Sequence, residues 1–140
     1  MYRIIYLSSA IKILSDDEIN DLLTISRENN LKYDITGLLL YSEGNFIQIL
    51  EGSKENVLKI FEKIKHDSRH RNIITVIKGP IVNRTFSDWK MGFSIIEPVF
   101  LKKHPEINPF LLKKSRNIDL ITNTFIDAFL NSFRKNILYS

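Results

Sequence analysis

Two strand-like runs, Ile35–Tyr41 and Asn45–Leu50, flank Ser42-Glu43-Gly44, and this segment narrows the fold more than any other. A glycine-bearing connection this short signals an antiparallel β-hairpin. Helices with start signals of their own bracket the hairpin. Ser15-Asp16-Asp17-Glu18 is a capping box, in which the Ser15 hydroxyl accepts an amide hydrogen bond while Glu18 reaches back. A helix is expected from there to about Asn29, with acids in its first turn where the helix dipole favours them. Ser53 caps a second helix, whose apolar stripe is Val57, Ile60, Phe61 and Ile64. Residues 2–8, rich in Tyr, Ile and Leu, read as a first strand. Asn72–Lys78 is a β-branched strand ended by Gly79-Pro80, and a last strand covers Lys90–Ile96. The order βαββαββ fits an α+β, ferredoxin-like split βαβ sheet with both helices on one face and strands one and three adjacent.

Pro98, Pro105 and Pro109 break the pattern over 97–109. Ile118, Ile121, Phe125, Phe129 and Phe133 then recur at three- and four-residue spacing, which predicts an amphipathic C-terminal helix. The chain thus divides into a domain over residues 1–96 and a helical extension over 97–140. The stripe of the extension needs the other sheet face, or a partner, to cover it.

The 140 residues contain no cysteine, which excludes disulfide frameworks, Cys-ligated zinc, iron–sulfur clusters, thiol nucleophiles and photochemistry on a thiol. His66, His70 and His104 lack metal-ligand spacing, so no metal is expected. Nucleophile-elbow, P-loop and dinucleotide glycine motifs are absent from the sequence. Twenty Lys and Arg against sixteen Asp and Glu leave a net charge of +4, without one long basic run. Lys65–Arg71 and Lys113–Arg116 read as solvated faces. The N-terminus turns polar too early for a signal peptide, and no apolar run approaches the ~20 residues of a membrane span, so a soluble cytoplasmic protein is expected.

Strand alternation sets Phe46, Gln48 and Leu50 on one face of the third strand. A primary amide between two large apolar residues needs a polar partner, since burying it alone costs about 1–3 kcal/mol. Tyr6 has matching parity on the neighbouring first strand, and Leu22, Ser26 and Asn30 form one stripe of the first helix. Tyr6, Gln48, Ser26 and Asn30 can therefore converge between sheet and helix. Two readings follow: a buried network that only sets register, or a site for a flat heteroaromatic ring whose edge is read by amides.

These residues also carry a resemblance. The segments Arg3-Ile4-Ile5-Tyr6-Leu7-Ser8, Ile35-Thr36-Gly37-Leu38-Leu39 and Phe46-Ile47-Gln48-Ile49-Leu50-Glu51-Gly52, with Asn30 between them, resemble a BLUF domain, the blue-light sensor using FAD. Asp67-Ser68-Arg69-His70 and Phe86-Ser87-Asp88-Trp89-Lys90-Met91 extend the match over about residues 1–96. The resemblance implies a blue-light photoreceptor that holds a flavin non-covalently, FAD with FMN left open, and no attached catalytic domain. It makes Tyr6 the redox-active phenol and Gln48 the switching amide, with Asn30 at the ring's carbonyl edge. Arg69 and His70 would lie near the ribityl and phosphate portion, and Leu22, Phe46 and Ile64 would wall the ring. Asn29 stands where some members have His. Trp89 and Met91 match positions tied to signal transmission, toward a partner protein that the sequence does not identify; a homo-oligomer stays open. Tyr33-Asp34 stand where small residues are often seen.

The competing readings are a ferredoxin-like nucleic-acid module and a flavin-dependent enzyme. An RNA-reading sheet needs stacking aromatics in the RNP pattern, and Tyr41–Glu51 breaks it: Gly52 is misplaced and Gln48-Ile49-Leu50 replaces the stacking positions. No substrate base or nucleophile accompanies the amide cluster.

Overall fold

The computed structural model describes residues 1–42, 44–87 and 90–95. The elements in order are β1 (Tyr2–Ala10), α1 (Asp16–Tyr33), β2 (Thr36–Ser42), β3 (Asn45–Gly52), α2 (Lys54–Lys65), β4 (His70–Pro80) and β5 (Gly92–Ile95). They form one five-stranded sheet in the order β4-β1-β3-β2-β5. All pairs are antiparallel except β2 with β5. The two helices and the expected neighbours, β1 and β3, are in place. Trp89 and the whole stretch from Pro98 through the Ile118–Phe133 stripe, with Lys113–Arg116, lie outside the described residues.

The helix starts follow the local chemistry. Ser15 Oγ accepts from the Glu18 amide and Glu18 reciprocates at the Ser15 amide, both at 3.2 Å, while Ser53 Oγ accepts from the Asn56 amide at 3.3 Å. The end of α1 differs from expectation. The expected end is about Asn29, yet the helix runs on to Tyr33, with Asn30 buried. Asp34 ends it instead in the left-handed region, φ 52, which Asp tolerates better than most residues. The Asp34 carbonyl and carboxylate both accept from Arg84, at 2.7 and 3.1 Å, which accounts for an acid at this turn.

Strand boundaries shift for similar reasons. β3 continues through Glu51 and Gly52, which pair with Arg3 and Tyr2. β4 begins earlier than expected and carries two register shifts against β1, with Asn72 at φ 56 inside one of them. β5 begins only at Gly92. The carbonyls of Lys90 and Met91 are taken by side chains of α1 rather than by a neighbouring strand.

Alternation along the strands gives the sheet two faces. Ile4, Tyr6, Leu39, Phe46 and Leu50 pack toward Ile19 and Leu23 of α1 and Val57, Ile60 and Phe61 of α2. Ile5, Leu7, Leu38, Leu40, Ile47 and Ile49 point the other way and are buried as well. Gly37 explains why the Thr-Gly-Leu-Leu segment needs its glycine. A Cβ there would sit 1.9 Å from the Ile49 carbonyl oxygen, too close for β2 and β3 to stay paired.

The face away from the helices holds one polar cluster, centred on Glu51 at 0% exposure. Its Oε2 accepts from Arg3 Nε at 2.8 Å and Nη2 at 2.7 Å, and its Oε1 accepts from the amides of Thr85 and Phe86, each at 2.8 Å. Arg84 Nη1 donates to Thr36 Oγ1 at 3.0 Å. The segment between β4 and β5 is thereby fastened to the end of β3.

Candidate functional site

Between α1, α2 and the sheet lies an open cleft with apolar walls and a polar base. Every cofactor-contact residue anticipated from the sequence lines it: Tyr6, Leu22, Ser26, Asn29, Asn30, Phe46, Gln48, Ile64, Arg69 and His70. Sheet register brings the first pair together, because Tyr6 stands directly opposite Gln48 in the β1–β3 ladder. Helical spacing brings Leu22, Ser26 and Asn30 to the same wall. The positions of these residues follow from the fold; their roles are a separate matter.

The floor of the cleft is polar and ordered. The Tyr6 hydroxyl donates to Gln48 Oε1. Gln48 Nε2 donates to the Met91 thioether sulfur at 3.5 Å, and Met91 is fully buried. Asn30 Nδ2 donates to the Lys90 carbonyl, and Arg27 donates to the Met91 carbonyl from Nη2 at 3.1 Å and Nε at 3.3 Å. Helix α1 thus grips the two residues before β5, one of which touches the Gln48 amide. Burial, reinforced by the negative charge of Asp67, pushes the Tyr6 phenol far above its ordinary pKa, so its hydroxyl stays protonated.

The cleft wall beyond α2 is charged. Asp67 Oδ1 accepts from Arg69 Nε at 2.9 Å, and this contact holds the Asp67 carboxyl below the usual carboxylate range and raises Arg69. His70 is engaged at both ring nitrogens, Nδ1 with Ser8 Oγ at 3.0 Å and Nε2 with the Ile64 carbonyl at 2.6 Å. Among the described residues no group of side chains could hold a metal ion, and no helix is long and apolar enough to cross a membrane.

Sequence reasoning missed Ser8, Ile25, Leu39, Ile60, Lys63 and Asp67 on the lining, and Arg27 behind it. Some of these had a signal. Leu39 faces Gln48 across the hairpin, and Ser8 continues the Ile4–Tyr6 parity opposite Phe46. Lys63 lies one turn after Ile60 on α2. Arg27 had none, since its acceptor is a backbone carbonyl.

Comparison with known proteins identifies the family. Residues 1–92 match the family described as BLUF, sensors of blue-light using FAD. The chain is 31% identical over 117 residues to the photoactivated adenylate cyclase subunit alpha of Euglena gracilis, covering 82% of this chain and 11% of that protein. It is 29% identical to the blue light- and temperature-regulated antirepressor BluF of Escherichia coli strain K12, covering 89% of this chain and 31% of the relative. The chain therefore spans a third or less of these relatives' length. The dark-state structure of the BLUF protein BlrB superposes with a TM-score of 0.72 at 27% identity, over 94% of this chain and 96% of that one. With a tyrosine and a glutamine paired at the base of a helix-walled cleft, and with two-thirds of its length inside the matched region, this chain belongs to the BLUF family of flavin-binding blue-light sensors.

Proposed function

We propose that the chain is a blue-light photoreceptor that binds FAD non-covalently and passes the signal to a separate partner protein. One observation carries this reading: the Tyr6–Gln48 pair is nine-tenths buried and still lines the cleft. A pair that merely set strand register would have no reason to face a cavity. The donor set suits a flavin, with amides and a phenol at the base, Leu22, Phe46 and Ile64 along the walls and cations toward the rim. When bound, the flavin supplies absorption of blue light and a ring edge of hydrogen-bond acceptors and a donor.

The residues supply the switch. Gln48 presents its oxygen to Tyr6 and its Nε2 to Met91. Turning the amide end for end aims an N–H at Tyr6 and the oxygen at the thioether. A thioether is a weak acceptor, so little is lost on that side. Burial makes loss of the Tyr6 proton alone costly, so the phenol would yield its proton only together with an electron, for which a bound, light-excited flavin would be the acceptor, and would take both back. Asn30 fixes one end of the ring edge, while Met91 and Trp89 carry the change toward the output segment. In this scheme residues 1–96 are the sensor and 97–140 the extension that meets the partner.

The test is optical. Purified protein should be yellow and its visible band should move to the red under blue light, with Tyr6→Phe and Gln48→Leu each keeping flavin and losing the shift. A colourless protein that binds RNA in a salt-sensitive way would overturn the reading. Pull-down from lysate in darkness and in light identifies the partner by the difference.

A further inference from the structure

Met91 is held by two contacts of unequal strength. Its sulfur accepts from Gln48 Nε2 at 3.5 Å, and its carbonyl accepts from Arg27 Nη2 at 3.1 Å and Nε at 3.3 Å. A thioether is a weak acceptor, so the sulfur contact cannot by itself fix the residue. The guanidinium bonds are charge-assisted and belong to the stronger class. Strand β5, which begins at the next residue, adds little restraint. It is four residues long, lies at the margin of the sheet and pairs with β2 alone among the described strands.

Arg27 makes no other hydrogen bond among the described residues. No described carboxylate lies at ion-pair distance from it, and it does not line the cleft. Yet it is half-buried, with its planar fork turned to a single oxygen. Two N–H groups on one carbonyl set its direction as well as its distance, which a lysine ammonium does not do. Met91 therefore stays against the Gln48 amide because α1 holds its backbone.

We propose that Arg27 is a positioning residue for the light switch: it keeps the Met91 thioether against Gln48 and so sets how long the light-adapted arrangement of that amide lasts. The proposal rests on the sensor reading above and adds a control on its lifetime. Arg27 bonds to neither Tyr6 nor Gln48, so it acts through Met91 alone. Loosening Met91 changes the barrier that the amide crosses on its return, while the phenol and the amide themselves remain in place.

Dark recovery of the flavin-loaded full chain after a blue flash is the first readout. Arg27→Gln should retain flavin and the red shift, and its recovery rate should change by roughly two- to tenfold, the scale of one lost hydrogen bond. Arg27→Lys keeps the charge and one donor, and should fall between Arg27→Gln and the unmodified chain. In a Met91→Leu background Arg27→Gln should add nothing, because the sulfur through which it acts is gone. The second readout needs no light. The sequence has two methionines, Met1 half exposed and Met91 buried. Isotope labelling of the methionine methyl groups therefore gives two NMR signals, and Arg27→Gln should move or broaden that of Met91 in flavin-free and loaded chain alike. Unchanged recovery, an unmoved Met91 signal, or an equal effect of Arg27→Gln in the Met91→Leu background would each overturn the positioning role and leave the sensor standing. Absence of any red shift in the unmodified chain would overturn the sensor reading, and the positioning role with it.

Discussion

Gln48 and Glu51 lie three residues apart on β3, on opposite faces of the sheet, at 4% and 0% exposure. Their bonding is opposite in character. Glu51 has four charge-assisted contacts of 2.7 to 2.8 Å from Arg3 and two backbone amides. Gln48 has a neutral phenol on one end and a sulfur at 3.5 Å on the other. Turning the Glu51 carboxylate away would strand a guanidinium and two amides, whereas turning the Gln48 amide trades one neutral bond for another. A short recognisable segment, Gln48-Ile49-Leu50-Glu51-Gly52, thus combines a part made to move with a part made to hold. Resemblance in such a segment does not by itself separate the two; the partners do.

Substitutions can break this contrast, and they rank by their effect on unfolding free energy. Glu51→Gln should cost most, about 3–5 kcal/mol, because it leaves Arg3 buried without its counter-charge. Chemical denaturation measures it, and a cost near zero would mean that Arg3 finds other partners. Gln48→Leu should cost about 1–3 kcal/mol, from the unpartnered Tyr6 hydroxyl, while abolishing the light-induced red shift. If it destabilises as much as Glu51→Gln, the two halves of the segment are not distinct. Asn30→Ala should cost about 1 kcal/mol, by freeing the Lys90 carbonyl, and should weaken flavin retention or move the dark spectrum.

Met91→Leu sharpens the comparison from the other side. It keeps the volume and removes the sulfur, so stability should change by less than about 1.5 kcal/mol. The rate of return to the dark state should change severalfold, because the Gln48 Nε2 then has no acceptor there. Identical recovery kinetics would remove the sulfur from the switch. The smallest effect is on Asp67. Its pKa is depressed by Arg69, so its contribution is present above the ordinary carboxylate value and disappears as pH falls through the lower folded value. Asp67→Asn should therefore lower the melting temperature slightly near neutral pH, and the difference should shrink as pH falls below the ordinary carboxylate range.

Much of this could be anticipated where local chemistry decides. The capping serines, the hairpin glycine and the Tyr6–Gln48 parity all follow from spacing along the chain, and each appears as expected. The rest depended on contacts between distant residues. The helix runs past its expected end near Asn29, and the Asn30 amide meets the Lys90 carbonyl sixty residues later. The late start of β5 has the same origin, since Arg27 and Asn30 occupy carbonyls that a ladder would otherwise use. Arg69 looked like a ligand cation, and the carboxylate two residues before it neutralises the charge.

The irregular β4 strand bears on solubility. It is the outer strand of the sheet on its side, and its far backbone groups face no other described strand. An intruding strand needs a straight, evenly spaced row of amides and carbonyls to add to. Two register shifts, a left-handed Asn72 and a Pro80 that lacks an amide hydrogen interrupt that row, and Arg71 and Lys78 set charge beside it. A strand added at this margin would meet each of those interruptions in turn, which disfavours fibril-like growth from it.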